Sequence, residues 1–259
     1  MALPEATIRV QHLFNRIAVP YARQVLPRAR AEARRDLEWL RPQPHEQALD
    51  LACGPGTLGL ELAPRTRVVY GIDLADRMIA LARRAARAQH RPNAHFAVAE
   101  AERLPLPDEA FDLVACSYSF PSFPAPQRII AEMRRVTRPG GRIGVLEVVA
   151  PKDETQRRRL NRLEEMRSQT PTRFLCLEDL VALFTQAGLH LLDCHVEERP
   201  RQLKDWLALG HPRNDRRRRR ALRELVLRSA KTDALGLHPA RHRRRWIFFH
   251  TVARLLWRK

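Results

Sequence analysis

One glycine-rich break constrains this chain more than any other feature. In Gln47-Ala-Leu-Asp-Leu-Ala-Cys-Gly-Pro-Gly-Thr57 an apolar run reaches a carboxylate, Asp50, and then turns tightly on Gly54 and Gly56. Leu58, Leu60 and Leu62 follow, as at the start of a helix. A strand, a glycine turn and a helix bring bare backbone close to a ligand and aim helix N–H groups at it. A second apolar run, Val68-Val-Tyr-Gly-Ile72, ends on another acid, Asp73. An acid at the tip of the neighbouring strand is placed to hold a ribose diol. These residues point to a nucleoside cofactor.

Gly54-x-Gly56-x-x-Gly59 matches the dinucleotide fingerprint, which alone is a weak signal. Two details oppose a diphosphate. Pro55 removes an N–H from the turn. Asp50 sets a carboxylate beside it, which repels phosphate and suits a ligand bearing an amine and a sulfonium. S-adenosylmethionine is such a ligand. Asp50 is thus a candidate for a direct or water-mediated bond to the cofactor amine, and Asp73 for both ribose hydroxyls.

The later segments His95-Phe-Ala-Val-Ala-Glu-Ala-Glu-Arg-Leu-Pro-Leu-Pro-Asp108, Phe111-Asp-Leu-Val114 and Arg134-Arg-Val-Thr-Arg-Pro-Gly-Gly-Arg-Ile143 follow in order. Together with the glycine turn they resemble the motifs of class I S-adenosylmethionine-dependent methyltransferases, over roughly residues 45–150. Within that family they are most similar to the small-molecule group (the methyltransferase type 11 domain) that includes the ubiquinone and menaquinone C-methyltransferases. Val10-Gln-His-Leu-Phe-Asn-Arg-Ile-Ala-Val-Pro-Tyr21 is similar to the family's short N-terminal cap. Ala52 stands where a first glycine is common, and Ala99-Glu100 where Gly-Asp is common. The resemblance implies a cofactor site made of Asp50, Ala52, Cys53, Gly54, Gly56, Asp73, Leu74, Met78, Glu100, Ala101, Cys116 and Ser117. Glu100 would accept from the adenine amine while the Ala101 N–H donates to a ring nitrogen. Met78 has two readings, core filler or adenine contact, and Glu102 reads as a solvated loop acid.

Alternating strands and helices imply a parallel sheet with right-handed crossovers. The expected architecture is α/β and Rossmann-like: a seven-stranded, mostly parallel sheet with an antiparallel last strand, an N-terminal helical cap and a helical lid insertion. The organisation expected is a cap over 1–44, a cofactor-binding core over 45–199, a lid over 200–243, and a final strand with a basic tail over 244–259. Two cap helices, Ala6–Ala18 and Ala22–Leu40, are predicted to break near Pro20. The core strands are predicted at Gln47–Leu51, Arg67–Ile72, Ala94–Val98, Phe111–Ser117, Ile143–Val149 and Leu189–Val196. Trp246–Ala253 is read as the last strand, lying between the two before it.

The loop after the fourth strand, Ser117-Tyr-Ser-Phe-Pro-Ser-Phe123, carries Pro121 and Ser122 where several relatives in the family carry paired histidines. His12, Tyr21, Tyr118 and His195 are the remaining candidates for a general base, if one is needed. The loop also lacks the Asn/Asp-Pro-Pro-aromatic pattern of many amino-directed nucleic-acid methyltransferases.

The net charge of +18 rests almost wholly on arginine, since only four of the 47 basic residues are lysines. A nucleic-acid methyltransferase is the alternative this charge suggests, through Arg213, Arg216–Arg220, Arg241 and Arg243–Arg245. Five consecutive arginines on a helix point all round it, however, and no aromatic residues interleave with them to stack bases. Arg241–Lys259 also reads as a basic amphipathic segment suited to a membrane surface. The primary reading is a small-molecule methyl acceptor, with the lid residues Trp206, Leu207, Leu209, Leu222, Leu225 and Val226 lining its pocket and the cap around Phe14 and Tyr21 helping to select it. No run is long enough to span a membrane, and no basic-then-apolar leader opens the chain, so a cytoplasmic enzyme is expected. Cys53, Cys116, Cys176 and Cys194 are scattered, which suggests reduced thiols and no metal site.

Overall fold

The computed structural model describes residues 3–208 and 215–259, without the side chains at 24, 25, 27 and 28. Among the described residues there is one eight-stranded sheet, seven of whose strands follow one another on a continuous path. In chain order they are β1 (Gln47–Leu51), β2 (Val68–Asp73), β3 (Ala94–Val98), β4 (Phe111–Ser117), β5 (Thr137–Val148), β6 (His190–Gln202) and, after the three-residue β7 (Ala240–His242), β8 (Arg245–Arg258). The sheet order is β3-β2-β1-β4-β5-β8-β6, with β7 hydrogen-bonded to β8. The first five strands pair in parallel, while β8 runs antiparallel to both β5 and β6. The chain winds outward one way from β1 and the other way from β4, so the crevice between their carboxyl ends is the topological switch point.

Helices cover both faces. On one side α1 (Glu5–Leu40), α2 (Thr57–Leu62) and α3 (Asp76–Ala88) pack Leu37, Leu40, Leu58, Leu60, Ile79 and Ala82 against Ala48, Val69, Leu113 and Ala115. On the other, α4 (Pro126–Val136) and α6 (Leu177–Gln186) press Ile129, Ile130, Met133, Leu180 and Phe184 onto Val114, Cys116, Ile143 and Val145. The central strands β1 and β4 are largely apolar on both faces because both are covered.

The cap is one 36-residue helix, not two. Pro20 removes an N–H donor inside it, a defect of about 3 kcal/mol or more in a free helix. Both halves are anchored: Leu13, Ile17 and Ala18 pack on Ala75 and Met78, and Ala33, Leu37 and Leu40 join the sheet core. Tertiary burial overrides the local break. Strand β5 likewise starts at Thr137, directly after α4, so Gly140-Gly141 lies within the strand, where pairing with β4 slips between Phe111 and Leu113.

The segment expected as a lid faces elsewhere. Together with α5 (Glu154–Ser168), helices α7 (Leu203–Ala208) and α8 (Arg216–Ser229) build a separate core. There Leu203, Trp206, Leu207, Leu222 and Val226 meet Leu146, Val148, Phe248 and Val252. Leu225 points outward, 41% exposed. Leu209 and Arg213 lie outside the described residues. The C-terminal residues are no tail: Leu255, Leu256 and Trp257 are buried within β8, and the Trp257 ring stacks on Phe184 at 5.2 Å. A membrane-facing amphipathic segment would need these side chains on the surface. Among the described residues no helix is long and apolar enough to cross a membrane.

Trp257→Ala should therefore cost about 3–5 kcal/mol of unfolding free energy, read by urea denaturation. A change within about 0.5 kcal/mol, typical of a surface site, would contradict the placement of β8.

Candidate active site

The site is built at the switch point from the glycine turn outward. Ala52 and Gly54 both take left-handed backbone, with φ of 55° and 53°. Gly56, at φ 78°, starts α2. The turn is clamped by Asp73 at the end of β2, whose Oδ2 accepts from the Gly54 N–H and Oδ1 from the Ala75 N–H, each at 2.8 Å. Burial pushes the Asp73 carboxyl above its ordinary range, while those N–H donors pull it back. Each oxygen keeps further acceptor capacity for a hydroxyl.

Residues from both ends of the chain enclose one cavity over this turn. Ala52, Cys53, Gly54, Asp73, Leu74, Met78, Glu100, Ala101 and Ser117 line it, together with Tyr21 and Tyr118. Asp50, Gly56 and Cys116, which the sequence also marked, are not in its wall. Asp50 is fully buried behind the turn, its Oδ2 accepting from the Gly59 N–H at 2.8 Å. Its Oδ1 has no hydrogen-bond partner among the described residues. Burial drives this carboxyl up to about 7; the Gly59 N–H opposes the shift and the nearby Asp73 adds to it. Gly56 serves packing instead, since a Cβ there would stand 2.9 Å from the Phe96 ring. A Cβ on Gly54 would meet nothing within 4 Å. Cys116 is sealed in the core beneath, and burial raises its thiol and that of Cys53 well above the ordinary range.

Met78 is buried core, packed with Leu13 and Ile17, and it also lines the cavity. Glu102 is not a solvated loop acid: its side chain is 11% exposed, pairs with Arg128 at 3.6 Å and lines the cavity. Of the base candidates, His12 and His195 are exposed and absent from the wall. Tyr118 is in the wall, but its hydroxyl accepts from Arg199 Nη1 at 2.6 Å, and burial beside Glu32 raises it further from ionisation. The loop that carries it is fixed by Glu147, whose carboxylate accepts from the N–H groups of Ser119, Phe120 and Val148. Burial lifts Glu147 to about 8 against those three donors.

The sequence marks the cap only around Phe14 and Tyr21, and the largest omission is the rest of one helix stripe. Thr7, Val10, Gln11 and Phe14, then Ala29, Glu32, Ala33 and Asp36, recur at helical spacing and present one stripe of α1 to the cavity. The stripe mixes acids, small residues and apolar ones, so an apolar period does not mark it. Glu32, Asp36, Asp73, Glu100 and Glu102 all line the cavity, and no Lys, Arg or His does among the described residues. In a chain of net charge +18 this is a pronounced inversion. It suits a cation and opposes a polyanion. A fully buried carboxylate oxygen without a donor, Asp50 Oδ1, and a diol-width carboxylate, Asp73, fit a ligand with an amine, a sulfonium and a ribose. Among the described residues no cluster of His, Cys, Asp or Glu could hold a metal ion.

Residues 48–141 match the family model described as a methyltransferase domain. The chain is 40% identical over 126 residues to the demethylmenaquinone methyltransferase of Thermus thermophilus, a match covering 45% of this chain and 56% of that one. It is 31% identical over 157 residues to the 2-phytyl-1,4-naphtoquinone methyltransferase of Trichormus variabilis, covering 57% and 68%. Among solved structures, the YcgJ protein of Bacillus subtilis superposes with a TM-score of 0.79 at 21% identity, over 86% of this chain and 95% of that one. That last likeness concerns the fold.

The turn residues differ in what they do, and stability measurements separate them. Gly56→Ala should lose about 1–3 kcal/mol through overpacking on Phe96. Ala52→Gly should leave stability within about 1 kcal/mol of the parent, because relief of left-handed strain offsets the entropy of glycine. Equal losses at both positions in thermal unfolding would contradict this division.

Proposed function

This chain belongs to the class I S-adenosylmethionine-dependent methyltransferases, and we propose that it methylates a hydrophobic, uncharged small molecule of quinone-like type. The observation that carries this reading is the cavity wall of carboxylates and apolar groups in a strongly basic chain. The curated relatives named for naphthoquinone and menaquinone substrates support it. Nothing favours a nucleic-acid acceptor. The arginines of α8 wind round a helix that contributes no described residue to the cavity, and a polyanion would meet five acids in its wall.

In this reading residues 45–199 hold the cofactor and the cap 1–44 selects the acceptor. Asp73 accepts the ribose hydroxyls, Glu100 and the Ala101 N–H read the adenine edge, and the Gly54 turn gives room for the methionine end. Asp50 acts through its charge from behind the turn. When bound, S-adenosylmethionine supplies a methyl group already activated by its sulfonium. What remains for the protein is to hold an acceptor in line and keep water away. Val10 and Phe14 of α1, with Phe123 and Pro124 of the loop after β4, form the apolar cover for that task.

The direct test incubates the enzyme with methyl-labelled cofactor and quinol, phenol and RNA acceptors. Label in an aromatic product at a rate insensitive to salt is expected; label in RNA that falls steeply with salt would overturn the reading.

The cofactor's charge gives a pH signature. Asp50 sits near 7 in the free protein. A nearby cation favours its carboxylate, so binding should expel a proton and affinity should fall by about tenfold from pH 8 to pH 6. Calorimetry in buffers of different ionisation enthalpy measures both, and Asp50→Asn should flatten the profile. A flat profile in the parent protein would show that Asp50 does not sense the ligand. In the same assay Asp73→Ala should weaken binding by about 2–3 kcal/mol.

A further inference from the structure

Where α1 crosses the far side of the cavity, it joins a buried ionic cluster that the cofactor reading does not use. Arg199 of β6, 3% exposed, donates from Nη2 to Asp36 Oδ1 at 2.9 Å and from Nη1 to the Tyr118 hydroxyl at 2.6 Å. Its Nε donates to Glu197 at 2.6 Å. Arg254 of β8 adds a second guanidinium, 3.7 Å from Asp36 Oδ1 and 3.1 Å from Glu197. Arg201 donates to Glu32 at 2.9 Å. Three guanidiniums thus face three carboxylates, so the cluster as a whole asks for no counter-charge from a ligand.

Its orientation is uneven. Glu32, Asp36 and Tyr118 line the cavity, whereas Arg199, Arg201 and Arg254 stand behind them and do not. The guanidiniums on Asp36 both address Oδ1. Oδ2 of the same carboxylate, in a residue 2% exposed, has no hydrogen-bond partner among the described residues. A buried carboxylate oxygen without a donor is costly, and native structures supply one from protein, water or ligand. The Tyr118 hydroxyl does not supply it, being placed 3.4 Å from Glu32.

We infer that Asp36 is the specificity-determining residue of the acceptor pocket, its Oδ2 accepting a hydrogen bond from a hydroxyl carried on the acceptor's ring. The acceptor is then a phenol or hydroquinone and not its oxidised or etherified form. This rests on the aromatic-acceptor reading above and assigns the residue that reads the ring hydroxyl. The unbalanced wall also explains rejection: a carboxylate or phosphate on the acceptor would meet Asp36 and Glu32 before any guanidinium. An analogue without a donor would leave Oδ2 buried and unpaired, the circumstance in which a site built for a hydroxyl discriminates most strongly.

The test needs no knowledge of the natural acceptor. Naphthalene, 1-naphthol and 1-methoxynaphthalene are titrated into the protein saturated with S-adenosylhomocysteine, with intrinsic fluorescence or calorimetry as readout. The parent protein should bind 1-naphthol at least about tenfold more tightly than either analogue without a donor. Asp36→Asn keeps an oxygen for Arg199 and turns an N–H₂ toward the cavity. It should shrink that gap to within about threefold while leaving S-adenosylhomocysteine affinity near the parental value, with a lower melting temperature because Arg199 and Arg254 lose a buried counter-charge. Equal binding of 1-naphthol and 1-methoxynaphthalene to the parent protein, or an undiminished gap in Asp36→Asn, would overturn the inference and leave the aromatic reading standing. Binding of none of the three rings would overturn the aromatic reading and the inference with it.

Discussion

Asp73 ties the working parts of this molecule together. Its two oxygens accept from the N–H groups of Gly54 and Ala75, so one carboxylate fixes the glycine turn after β1 and the entry into α3 after β2. The turn's left-handed residues, Ala52 and Gly54, are held where an unclamped chain would relax. With the turn in place, α2 begins at Thr57 and buries Leu58, Leu60 and Leu62 on the sheet. Asp50 is then shut beneath it, where burial holds its proton near neutrality until a cation arrives. A site that stores an unpaired buried carboxylate is less stable than it would be with an amide there. It is also primed for a positively charged ligand.

The distribution of charge follows the same logic at a larger scale. Among the described residues no arginine lines the cavity, and several are held in ion pairs, as with Arg135 between Glu132 and Asp108. The cavity receives the acids. Electrostatics of this kind discriminate between ligand classes more than they add affinity, and here they separate a sulfonium cofactor and a neutral acceptor from any polyanion. The cluster around Arg199 extends that separation to the acceptor side and also fastens α1 to β6 and β8.

Much of the core was legible because its signals are local. The glycine turn and the acids of β1 and β2 each sit within a dozen residues, and β1, β3 and β4 begin and end where pattern alone puts them. What escaped depended on distant partners. Asp36 reads as an ordinary helix acid until Arg199, 163 positions away, is brought onto it. Trp257 reads as part of a basic tail until Phe184 is found against it. The break expected at Pro20 was outweighed by packing on Ala75 and Met78. Trp206 reads as a lid residue, yet it buries against Phe248 at 5.5 Å and gives its Nε1 hydrogen to Glu164. Asp50 is marked in the sequence, but its burial behind the turn is not.

The central claim is that the crevice between β1 and β4 receives S-adenosylmethionine through carboxylates. A crystal structure with S-adenosylhomocysteine tests it most directly. The account expects ribose hydroxyls on Asp73, adenine beside Glu100 and Ala101, and the methionine amine over the Gly54 turn above Asp50. It also expects the Asp36 end of the cavity to stay clear of the cofactor and open to an acceptor. Adenosine density against Asp36 and Tyr118, or a ligand that leaves Asp73 untouched, would contradict it.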